Sequence, residues 1–271
     1  YRPIRTPPIP AAGPSCPRAS GRETEPSGAA GRRRPKISNL YNCSITPAGT
    51  WASGEDGGAA GVVVQGGHEI KSKTVISAAD THQTFFKMVG EQHLDNEFVR
   101  QLKRFKYRGS SAKVNLAVDC LPEFSCKPGG GPHLKGDITI APGIDYLEKA
   151  YDDAKYGDFS KKPFLDIVIP SLTDPTVAPP GKHVISIFVQ YAPYHLKEGA
   201  AQWQAKREAL GDAVVDTLAE YCPNLKDSIL HRQVVTPWDL EQDVGLTEGN
   251  IFQGELSLEQ LGPFRPVAGW S

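Results

Sequence analysis

The histidines, cysteines and glycines of this chain are the residues best equipped for chemistry, and their spacing excludes most of what they could do. His68, His82 and His93 have no i, i+4 partner, and His183 and His195 flank a strand, so they form no metal set and read as structural or surface histidines. Cys120 and Cys126 flank a loop containing Pro122 and neither opens a helix whose N-terminus would lower a thiol pKa, so both read as ordinary thiols. Five cysteines, an odd number with one close pair, suit neither a disulfide framework nor a zinc knuckle and favour a reducing compartment. No Gly-x-Ser-x-Gly turn exists to raise a nucleophilic serine. The glycine clusters Gly57-Gly58-Ala59-Ala60-Gly61, Gly66-Gly67 and Gly129-Gly130-Gly131 do not fall between a strand and a helix with G-x-G-x-x-G spacing. The backbone cradle that such a turn offers to a pyrophosphate is therefore missing from the sequence.

Two segments retain chemical interest. Ile76 to Asp80 reads as a strand end running into small residues, where a ligand or another backbone can approach, with Asp80 placed to cap the next helix. Gly249-Asn250-Ile251-Phe252-Gln253-Gly254-Glu255-Leu256-Ser257 mixes glycines, amides, an aromatic and a carboxylate, a composition common to pocket-lining and surface loops alike.

The elements that position them follow from periodicity. Gly61 to Val64 and Ile70 to Ser77 are β-branched runs joined through Gln65-Gly66-Gly67, a hairpin signal. A helix carrying Phe85, Phe86 and Val89 and another over Leu94 to Phe105 come next. Ala112 to Asp119 alternates as a half-buried antiparallel strand, Asp137 to Ala141 is a short strand, and Ile144 to Tyr156 a charged helix. Phe164 to Ile169 and His183 to Tyr191 form a second strand pair. Ala200 to Tyr221 is the longest helix, with Trp203, Leu210, Val214, Leu218 and Tyr221 on one stripe. Thr236-Pro237 marks another helix start.

Residues 1–58 stand apart, rich in proline and glycine and without period. They read as a disordered arm, a targeting segment or a stretch foreign to the rest. Charge is balanced, 30 Lys+Arg against 31 Asp+Glu, which argues against a nucleic-acid partner. No apolar run reaches the roughly 18 residues of a membrane helix.

The runs Gly61 to Asp80, Gly109 to Asp119 with Leu121-Pro122, Ile169 to His183 and Leu246 to Ser257 together resemble the phytoene desaturase-like oxidoreductases, over about Ala59 to Ser271. The resemblance implies an α/β (α+β) fold, in which a Rossmann-like flavin domain is interrupted by a mixed-sheet substrate domain with covering helices. It implies residues 59–110 as part of the flavin domain, 111–232 as substrate domain and 233–271 as the return toward the flavin domain. It implies FAD, and redox chemistry on a small-molecule substrate that is apolar or amine-like. The cofactor-facing residues would be Ala78, Ala79 and Asp80, and the pocket residues Asn115, Gln190, Asn250, Phe252 and Glu255. No catalytic acid or base and no metal are assigned. Because the amino-terminal fingerprint is absent and the family's glycine-rich flavin segment is expected just after Ser271, the chain is expected to be an inactive fragment that does not retain FAD. A non-catalytic scaffold that keeps only the substrate domain is the alternative. The expected location is intracellular, in the cytoplasm or mitochondrial matrix, and the oligomeric state stays open.

Overall fold

The computed structural model describes residues 51–53, 58–64 and 67–269, all within the unit Asn42–Ser271. The expectations for residues 1–50 and 54–57 lie outside the described residues. Three short strands, β1 (Trp51–Ser53), β2 (Ala59–Val63) and β3 (Glu69–Lys71), form an antiparallel sheet in that order. The expected hairpin is present, with Gly61 opposite Lys71 and Val63 opposite Glu69.

The strand expected to continue to Ser77 ends at Lys71, which corrects the sequence reading. Beyond it Ser72 Oγ donates to the Thr74 carbonyl (2.7 Å), closing a turn, and Ile76 is 90% exposed. Propensity favoured a strand, but among the described residues no neighbouring strand takes up its backbone groups.

The larger sheet has five strands in the order β5-β6-β7-β4-β8. They are β4 (Ser111–Val118), β5 (Ile138–Ile140), β6 (Phe164–Val168), β7 (His183–Gln190) and β8 (Ile229–Val235). All its pairings are antiparallel. The two strands read as a separate pair, β6 and β7, join β4 in this one sheet, since β7 pairs with β4 along its whole length. β8 escaped the sequence reading because its face alternates weakly, with Arg232 taking a core-side position.

Side chains on a strand alternate between faces. Ala112, Val114, Leu116 and Val118 point into the main core with Leu165, Ile167, Ile185, Ile187 and Val189. Helix α3 (Trp203–Ala219) covers that face, with Trp203, Leu210, Val214 and Leu218 fully buried there as its stripe requires, while Tyr221, expected on the same stripe, lies beyond the helix end and is only partly buried. Each such side chain contributes about 1.5–3 kcal/mol through burial. The helix sits close, for a Cβ on Gly211 would lie 2.7 Å from Val234 Cγ2 and 2.8 Å from Arg232 Cζ. Arg232 is received by Asp212 (2.7 Å) and Glu208 (2.6 Å), four residues apart on α3. Helix α2 (Ile144–Lys155) buries Ala150, and the one-turn helix α4 (Leu225–Ser228) leads into β8.

A second, smaller core joins α1 (Asn96–Leu102) to the carboxy-terminal turns: Phe98, Leu102, Phe105, Tyr107 and Val267. Asp95 caps α1 by accepting from the Glu97 and Phe98 amides (2.9 and 3.1 Å). Among the described residues no helix is long and apolar enough to cross a membrane.

Candidate functional site

The corner at Ala78 to Asp80 is held by one carboxylate. Asp80 is 1% exposed; its Oδ1 accepts from the Gln83 amide (2.8 Å) at the start of a π-helix over Gln83–Val89, and its Oδ2 accepts from the Thr247 amide (2.8 Å). A buried carboxylate with both oxygens on backbone N–H groups is well compensated. Ala78 is exposed, and its carbonyl accepts from Gln253 Nε2 (3.3 Å). Residues far apart in sequence, the 78–80 corner and the 247–254 loop, are thus brought together.

The loop is aimed by helix α5 (Pro237–Val244). Thr236 caps it, accepting from the Asp239 amide (3.3 Å), while Asp239 Oδ2 accepts from the Thr236 amide (2.8 Å), a complete capping box. Arg207 on α3 pairs with the same carboxylate, joining α5 to the sheet's covering helix. After α5, Gly249 (φ 62°) lies so close to Pro237 that a Cβ would sit 2.2 Å from the Pro237 carbonyl oxygen. Glu248 adopts the left-handed region without being glycine (φ 50°, ψ 28°). Three ties hold it there. Its amide donates to Glu241 Oε1 (2.8 Å), its carbonyl accepts from the Gly109 amide (3.1 Å), and its Oε2 meets His195 Nε2 (2.9 Å). Tyr194 OH donates to Glu241 Oε2, and burial together with that carboxylate raises its pKa, so the phenol keeps its proton.

His82 faces this cluster from the other side, with its ring edge-on to Phe86 (5.3 Å) and Tyr107 (5.9 Å). Burial lowers its pKa, against Asp80, Glu241 and Glu248, which pull it up. Its buried Nδ1 has no hydrogen-bond partner. Burial pushes Tyr107 up to about 12, and its hydroxyl lies 2.6 Å from Thr81 Oγ1.

The residues expected to line a pocket divide into two sets. Asn250 is buried and spent on internal bonds: its Nδ2 donates to the Arg108 carbonyl (3.1 Å) and its Oδ1 accepts from the Phe252 amide (2.8 Å). Glu255 forms a two-point ion pair with Arg108. Phe252 is 54% exposed. Asn115 and Gln190 lie instead on the sheet face opposite the core, Asn115 donating to Gln233 Oε1 (3.0 Å) and Gln190 opposite Ser111 and Phe164. They share this face with each other, and neither side chain is hydrogen-bonded to the loop among the described residues.

Glu241, Glu248 and Tyr194 were missed by sequence reasoning, and His195 was read only as a structural or surface histidine. The helix start at Thr236-Pro237 was a usable signal for Glu241, but its partners lie across the fold.

The residues described here do not by themselves make a complete flavin site. Ala78 is exposed and Ala79 half-buried, each Asp80 oxygen already accepts from a backbone amide, and among the described residues no glycine turn at a helix N-terminus could take a pyrophosphate. Cys120 and Cys126 are exposed free thiols, Cys222 is a buried one, and no group of three or more potential metal ligands occurs among the described residues.

No protein-family model matches the chain. Pyridine nucleotide-disulfide oxidoreductase domain-containing protein 2 of Rattus norvegicus is 39% identical over 218 residues, covering 78% of this chain and 38% of the relative. Prolycopene isomerase 2, chloroplastic, of an Oncidium hybrid cultivar is 26% identical over 86% of this chain and 38% of its own length. The lycopene-forming phytoene desaturase of Pseudescherichia vulneris is 27% identical over 74% of this chain and 38% of its own length. The chain therefore spans about 38% of the length of these curated relatives. Over that stretch it belongs to the phytoene desaturase-like oxidoreductases, in the subgroup of pyridine nucleotide-disulfide oxidoreductase domain-containing protein 2.

Proposed function

We propose that this chain supplies the substrate-side sheet and one corner of the cofactor site of an FAD-dependent oxidoreductase acting on an apolar or amine-like small molecule. The observation that carries this reading is the double attachment of the 247–254 loop. It is tied to the 78–80 corner through Asp80 and Gln253, and to the lead-in of β4 through Gly109 and Asn250. One loop thereby fixes the corner assigned to the cofactor relative to the sheet assigned to substrate. When bound, a flavin would supply the redox chemistry; this chain's residues would orient it and exclude water. The domain limits at residues 110 and 232 and an intracellular location, in cytoplasm or mitochondrial matrix, are part of the same proposal.

The test has two arms. The purified chain, mixed with FAD and desalted, is expected to show no stoichiometric flavin absorbance, because no segment among the described residues cradles the pyrophosphate; a retained flavin band would contradict this. In a protein carrying this segment at the length of its relatives, Phe252→Ala is expected to lower turnover with little change in melting temperature. Unchanged turnover there would remove the loop from the site.

A further inference from the structure

The face of the five-stranded sheet that points away from the core carries a cation without an acid to match it. Register places Lys113 on the interior strand β4, directly between Phe188 of β7 and Val235 of β8. Lys113 is exposed, and its ammonium makes no ion pair or hydrogen bond among the described residues. A solvated lysine on a loop needs no explanation, but an interior strand is a place where a cation competes with better-packing residues. The neighbouring row adds donors. Asn115 Nδ2 donates to Gln233 Oε1 (3.0 Å), which leaves the Gln233 amide nitrogen, itself on an exposed side chain, free to donate outward. An acid on the same face, Asp166, stands beyond Phe188 and is already engaged, accepting from Thr139 Oγ1 (3.1 Å). The face thus offers a positive charge, an amide donor and apolar flanks, with its carboxylate turned toward the sheet edge.

We infer that Lys113 makes this face a site for an organic anion with an apolar body, the anionic group meeting the Lys113 ammonium and the Gln233 amide while the apolar part lies over Phe188 and Val235. The inference rests on the reading of this face as the substrate side, and it narrows the substrate range: a simple cationic amine would be repelled where an apolar carboxylate is held. Lys113 is a specificity residue in this scheme and takes no part in electron transfer.

The test is titration of the chain with decanoate, decanol and decylamine, each below its micelle concentration, followed through backbone amide resonances. Decanoate is expected to shift the amides of β4, β7 and β8 and to bind about fivefold more tightly than decanol, the scale of a partly exposed charge pair. Decylamine is expected to bind more weakly than both. Lys113→Met should bring decanoate down to the affinity of decanol, and Lys113→Arg should keep the preference. Because the side chain is exposed, both variants are expected to melt with the parent chain. Equal binding of decanoate and decanol, shifts confined to other parts of the chain, no binding at all, or a preference that survives Lys113→Met would each overturn the inference. No flavin is needed for this measurement, so its failure is separable from failure of the FAD reading, which stands on flavin absorbance and turnover.

Discussion

At the scale of single residues, the cluster around Glu248 concentrates both strain and titratable groups. His82 carries a pH effect whose sign follows from its burial. Its pKa lies below the ordinary 6.5 when folded, chiefly through burial, with Asp80 opposing and Lys87 assisting. The unfolded chain therefore binds the proton more readily, so the full stability is present above the unfolded value and is lost as pH falls through it toward the folded pKa. His82→Phe keeps the ring contacts with Phe86 and Tyr107 and removes the titration. Urea midpoints measured from about pH 7 to about pH 5 should fall less steeply for the variant than for the parent. An equal slope would place the proton-linked loss elsewhere. Gly249→Ala combines a left-handed φ of 62° with a Cβ position 2.2 Å from the Pro237 oxygen, and is expected to destabilise. A loss of more than about 1 kcal/mol in chemical denaturation is the expected size. None of this was legible locally. Asp80 was read correctly as a helix cap, but its second oxygen answers to Thr247, 167 residues away, and no pattern at Ile76 to Asp80 encodes that partner.

At the scale of elements, periodicity performed well wherever a face is buried on one side only. The α3 stripe, the alternation in β4 and the capping residues before α5 all appear where the sequence placed them. Val214 is fully buried in the main core, so Val214→Ala should cost about 1–3 kcal/mol, read as a lower melting temperature. Thr236 is buried within its capping box, and Thr236→Ala should cost about 0.5–2 kcal/mol by the same measurement. An unchanged melt for either would mean that the helix concerned is held by something other than that residue. The failures share a physical cause. β8 presents Arg232 to the core side, where α3 supplies Glu208 and Asp212 to receive it, so a charged residue stands where the alternation calls for an apolar one. The run from Thr74 to Ser77 has strand-forming residues but no pairing partner among the described residues, and propensity without a partner does not make a strand.

At the scale of the whole molecule, the sheet with its covering helices and the corner that precedes it are built from different parts of the chain. The sheet and α3 use residues from Ser111 to Val235 without interruption. The corner uses residues before Gly109 and after Leu246, joined in the second core by Phe105 and Val267. The candidate site was legible in the sequence only as two composition-rich segments. Their juxtaposition is a property of this closure, and no local pattern in either segment encodes it.

The Asp80–Thr247 bond has a consequence for how the molecule is made. A ribosome emits the 78–80 corner early and its partner loop 167 residues later, after every strand of the sheet has left the tunnel. Sheet and α3 can close on themselves during that interval, while the corner waits with a carboxylate that lacks one of its two amides. Contacts of such long sequence separation form late. Released chains that end at Val244 should therefore show slow hydrogen exchange in β4 and β7 and fast exchange at Thr84 and Val99, with protection of the latter pair arriving only in chains long enough to include Thr247 and Val267.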